Sequence, residues 1–155
     1  MAKRKFSSRT KARKRAVDVL FEADQKGFGH RGSEILRLLE QRKVLSTAQA
    51  PLNDFSVRII TGVAEHIDEI DDQLIRFLHG RNLDRIPAPD RAVLRVATWE
   101  LLFNDDVDDP VAIHEAITLT EAIGGTDKTP QFVNGVLSSI HDAKKAGHIA
   151  IASQE

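Results

Sequence analysis

Lys11, Arg13, Lys14 and Arg15 stand within five residues of one another, Lys3, Arg4, Lys5 and Arg9 precede them, and the first fifteen positions hold no acid. Such a run is chemically suited to neutralising phosphates along a nucleic-acid backbone and releasing their counterions. The bland alternative is a solvated leader. Weighing against it is Phe21, which on the helical wheel falls with Val17 outside the main apolar stripe and close to the direction of Lys14. An aromatic beside cations can stack a base, although a place in the core is the plainer reading of Phe21. The chain holds 22 basic and 23 acidic side chains, so the residues after this leader carry a net −9. A basic arm on an acidic body points to a polyanion at one end and leaves the other free for a second, possibly basic, partner.

Other chemistries find less support. There are no cysteines, which removes disulfides, cysteine zinc sites and thiol nucleophiles and fits a reducing compartment such as the cytoplasm. No HExxH pair exists, and His66, His79, His114 and His141 stand apart from convergent ligands, so they are read as surface or interfacial rather than as metal ligands or general bases. His114 beside Glu115 would be catalytic only with a nucleophile, and the sequence identifies none. The segment Gly27-Phe28-Gly29-His30-Arg31-Gly32 matches the dinucleotide fingerprint letter for letter, but it follows a helix rather than a strand and is read as an interhelical loop. Asp71-Asp72, Asp105-Asp106 and Asp108-Asp109 read as helix caps and solvated turns, with a basic protein docking there as the sharper alternative. No catalytic residue, cofactor or metal is expected, and the chain is read as a binding module rather than an enzyme.

The elements that must position the basic arm are helices. Ala12, Ala16, Val19, Leu20 and Ala23 share one face of a helix over 8–26, with Lys11, Arg15, Asp18 and Glu22 opposite and Gly27 as its stop. Ser33 is expected to cap a short second helix running to about residue 43, followed by a polar connection at 46–51. Phe55, Ile59, Val63, Ile67, Ile70, Leu74 and Leu78 predict one long third helix, with Gly62 as a kink and Gly80 as its end. Pro87 and Pro89 keep the residues before them out of the helical region, making 81–88 a connector. A fourth helix then buries Ala92, Val93, Val96, Ala97 and Leu101 and carries Arg91 and Arg95 on another face. A fifth opens at Asp109-Pro110 and closes at Gly124-Gly125. A sixth runs through Phe132, Val133, Val136, Leu137 and Ile140; its Asn134-Gly135 is also a hairpin signal, but no neighbouring strand exists for it to join. The expectation is one all-α domain of 155 residues, with three helices in 1–80, three in 81–145 and a frayed tail at 146–155. No segment reads as a membrane span or a secretory leader.

Four stretches together resemble the NusB family: Lys11-Ala12-Arg13-Lys14-Arg15-Ala16-Val17 with Leu20-Phe21, Asp90-Arg91-Ala92-Val93-Leu94-Arg95-Val96-Ala97 with Trp99-Glu100-Leu101, Val111-Ala112-Ile113-His114-Glu115-Ala116, and Phe132-Val133-Asn134-Gly135-Val136-Leu137. They follow the family's order over nearly the whole chain. The resemblance implies two three-helix bundles packed in one domain. It also implies a function in transcription antitermination: binding single-stranded boxA RNA of ribosomal RNA leaders together with NusE, a small ribosomal-subunit protein, and joining RNA polymerase with NusA and NusG. Carried over by position, it assigns RNA contact to Lys5, Arg9, Lys11, Arg13, Lys14, Phe21, Phe77, Arg81, Asp90 and Arg91, and NusE contact to Asp127 and Glu115. Asn134 and Gly135 are expected to be structural, and a homodimer is one form the free chain could take. His114 departs from the Asn or Asp common in relatives, and the stretch from Arg81 to Pro89 has two prolines where fewer are expected.

Two other binding modules compete. A NusB-like domain fused to a ribosomal RNA cytosine methyltransferase would need a second domain for S-adenosylmethionine, and a free-standing module of this kind could serve ribosomal RNA modification or ribosome assembly. A helix-turn-helix DNA binder would carry its cations on a recognition helix, whereas here they precede and open the first helix.

Overall fold

The computed structural model describes residues 6–44, 52–124 and 126–149; the expectations for Lys5, for the connection at 46–51 and for the end of the tail lie outside the described residues. Within them every regular element is helical: α1 (Ser8–Gln25), α2 (Gly32–Val44), α3 (Asp54–Glu65), α4 (Ile67–Phe77), α5 (Ala88–Phe103), α6 (Asp109–Ile123) and α7 (Thr129–Lys145), with a 3-10 turn at Leu83–Arg85. Asn134 and Gly135 lie exposed inside α7, in keeping with the helical reading of that motif.

Three boundaries differ from expectation. α5 takes in Ala88, the residue before Pro89, which is expected to stay out of the helix as the end of the connector. The second helix starts at Gly32 and takes in Ser33, and at this first position a Cβ would overlap the Ala64 carbonyl of α3. Only glycine lets the two backbones come this close. The predicted long third helix is two helices, broken at His66 rather than kinked at Gly62. His66 has φ −121° and ψ 23° and caps both segments. Its ring stacks on Phe103, with centroids 3.9 Å apart and planes 11° off parallel. Gly62 instead makes room for a neighbouring helix, since a Cβ there would collide with the Trp99 indole of α5.

α5 is the axis of the fold. Every residue from 92 to 103 along it is buried, and it packs against α1, α3, α4, α6 and α7. An element enclosed on all sides must satisfy its polar side chains internally, and this requirement builds much of the site below. Past α7, Ala146, Gly147 and His148 are exposed and Ile149 is buried, and Arg76 donates to the His148 carbonyl at 3.0 Å.

Candidate nucleic-acid interface

α1 is buried over more of its circumference than one apolar stripe accounts for. Thr10, Arg13 and Val17 are buried beside Ala12, Ala16, Val19, Leu20 and Ala23, because α1 lies against α3 and α5 at once. Ser7 caps its first turn, its hydroxyl accepting from the Thr10 amide at 3.2 Å. Arg9 and Lys11 are exposed and Lys14 is partly so. Lys14 meets Asp18 one turn on at 3.5 Å, a surface pair of small energetic weight. The Arg9 guanidinium sits 4.9 Å from the centre of the Phe55 ring on α3, so Phe55 is an aromatic beside the basic arm. Phe21 itself is only half-buried and does not belong to the buried core.

Arg13 departs from expectation. It is 2% exposed, and its Nε donates to Glu100 Oε1 of α5 at 2.9 Å. Its Nη1 lies 3.7 Å from Glu115 on α6, and its guanidinium 5.2 Å from Phe55. Burial pushes the Glu100 carboxyl above the usual carboxylate range, against the opposing pull of Arg13. Glu115, expected at a protein interface, turns toward the same cluster and accepts from the Thr10 hydroxyl at 2.8 Å. Spacing carries the signal for Arg13: with Val17 and Leu20 it forms an i, i+4, i+7 row, the geometry of an inward face.

Arg91 is occupied in a similar way. Its Nε donates to Asp24 at 3.1 Å, and its Nη1 donates to the carbonyls of Leu83, Asp84 and Ile86 at 3.0–3.2 Å, which pins the connector to the start of α5. Arg95 completes the cluster with a bidentate pair to Asp71, both bonds at 2.9 Å, and a contact to Asp24 at 3.5 Å. Both halves of α1 are therefore tied to α5 by ion pairs, a buried one from Arg13 to Glu100 and partly buried ones from Asp24 to Arg91 and Arg95.

Two grooves collect the remaining residues. One, of about 470 Å³, is lined by Ser8, Arg9, Arg13, Asp106, Val111 and Glu115. The other, of about 400 Å³, is lined by Arg81, Pro87, Asp90, Ile123, Lys128 and Phe132. Here Arg81 lies 4.8 Å over the Phe132 ring, so the connector does approach the Phe-Val-Asn-Gly motif. Asp90 is 5% exposed, and its Oδ1 has no hydrogen-bond partner among the described residues. Phe77 is half-buried beneath Arg76, at 4.9 Å, and Asp127 is exposed. Phe55 and Phe132 enter the sequence reading only as apolar helix positions, and Lys128 carries no spacing signal, so their places beside Arg9, beside Arg81 and in the second groove escape it. No group of three or more potential metal ligands converges among the described residues.

These features define a class: a small all-helical domain built round one enclosed helix, whose leading helix holds Arg9 and Lys11 out to solvent on an acidic body. Comparison with known proteins narrows it. A family model described as the NusB family matches residues 10–142. The chain is 45% identical over 138 residues to a protein of Beutenbergia cavernae named transcription antitermination protein NusB, covering 87% of this chain and 90% of that one. A protein of the same name from a Nocardioides species is 46% identical over 135 residues, covering 87% and 94%. A solved structure of T. maritima NusB superposes with a TM-score of 0.72 at 30% identity, covering 89% of this chain and 93% of that one. The chain belongs to the NusB family.

Proposed function

We propose that this protein is a transcription antitermination factor that binds single-stranded boxA-type leader RNA of ribosomal RNA operons in complex with NusE, and so supports processive transcription by RNA polymerase with NusA and NusG in the cytoplasm. The observation that carries the reading is the outward set of Arg9, Lys11 and Lys14 on a helix whose other faces are buried. Lys11 and Lys14, about 60° apart round the helix, form a cationic edge that can follow a phosphate chain, and Arg9, on another side at the helix start, stands beside Phe55, a ring on which a base can stack. Lys5 extends the arm. Phe21, Phe77, Arg81 and Asp90 are further positions for RNA, and Asp127 is the exposed acid for NusE. The protein acts by positioning RNA and makes or breaks no bond.

A titration of boxA-type RNA against salt, with and without NusE, tests this. Each phosphate contact should add about −0.7 to the slope of log affinity against log salt, and NusE should tighten binding. Duplex DNA bound as tightly as the RNA would overturn the reading.

A further inference from the structure

The leading end of α1 is a poor helix terminus by its own chemistry. No acid occupies its first turn, while Arg9 and Lys11 place positive charge where the helix dipole is already positive. Ser7 supplies a local cap, yet the first amides of a helix lack intrahelical acceptors and fray readily. What holds this end against the body is tertiary. Arg13 donates to Glu100 at 2.9 Å, and Thr10 donates to Glu115 at 2.8 Å. Glu100 stands on the enclosed axis α5 and is 1% exposed, so its carboxylate cannot touch RNA.

Resting on the RNA-binding reading above, we infer that Glu100 is a positioning residue for RNA binding: by holding Arg13 inward it fixes the rotation of α1 that turns Lys11 and Lys14 outward, and Arg13 serves through this pair rather than by touching phosphate. Geometry dictates the outcome for the neighbours. Residues 11 and 14 lie about 160° and about 100° from residue 13 round a helix advancing about 100° per residue. An inward Arg13 therefore leaves Lys11 facing away from the core and Lys14 at its flank, partly exposed.

The full chain, with boxA-type RNA as the probe, provides the test. Three variants are compared with wild type at several salt concentrations: Glu100→Gln, the double variant Arg13→Met with Glu100→Met, and Thr10→Val as a mild change at the edge of the cluster. Glu100→Gln should weaken RNA binding about three- to tenfold in protein that circular dichroism shows to be folded. Its salt slope should match wild type, because no phosphate contact has been removed. Thr10→Val should weaken binding about twofold. The apolar pair should restore affinity to within about twofold of wild type, since a buried ion pair can be replaced by packed side chains of similar volume.

A double variant that stays weak with a slope shallower by about 0.7 makes Arg13 a phosphate contact and overturns the inference. So does a folded Glu100→Gln protein with wild-type affinity, which would make the pair structural only. Both results presuppose RNA binding by the wild-type chain; a wild type that binds no RNA sinks the broader reading, and this one with it.

Discussion

Asp90 illustrates how a single buried charge sets a pH dependence. Burial alone pushes its carboxyl above the usual carboxylate range, and no described residue satisfies its Oδ1. In the unfolded chain the group ionises at its ordinary value, so between that value and the raised native one the folded protein keeps a proton that the unfolded chain has lost. Its contribution to stability is present at lower pH and is lost as pH rises through that window. Glu22 works in the opposite direction: hydrogen bonding from Arg42 lowers its carboxyl, giving stability that disappears as pH falls. We expect Asp90→Asn to raise Tm by about 1–3 °C at pH 7 and to give no gain near pH 4, measured by thermal denaturation at both values. An equal gain at both would show that the ionised form is not what costs stability. The identity of Asp90 is legible in the sequence but its burial is not, since an Asp in the first turn of a helix ordinarily faces water.

At the scale of elements, the spacing between α3 and α5 depends on an absent side chain. Trp99 of α5 fills the space a Cβ at Gly62 would occupy, and its indole is 5% exposed. Gly62→Ala should cost about 1–3 kcal/mol through overpacking, read from urea denaturation midpoints. A change within a few tenths would mean that the two helices slide apart freely. The pattern Phe55, Ile59, Val63, Ile67, Ile70, Leu74 reads straight through the α3–α4 break because one non-helical residue at His66 leaves the three- and four-residue spacings intact. Only the stacking partner, Phe103 on another helix, marks where the axis turns.

For the molecule as a whole, α5 receives α1, α3 and α4 from before the connector and α6 and α7 from after it, and the buried apolar side chains of both sides form one continuous cluster. Thermal unfolding should be one transition with coincident calorimetric and spectroscopic curves; two resolved transitions would mean that the halves expected at 1–80 and 81–145 are separable. The sequence by itself determined the all-helical class, most helix positions, the segregation of charge and, through four motifs, the family, because each of these is written in local spacing and composition. Tertiary structure decided which cations face the solvent. Arg9, Arg13 and Arg91 are alike as letters, yet Arg13 and Arg91 turn inward to Glu100 and Asp24. A central helix enclosed on every side must have its charges matched by neighbours distant in sequence, and local pattern carries no record of that demand.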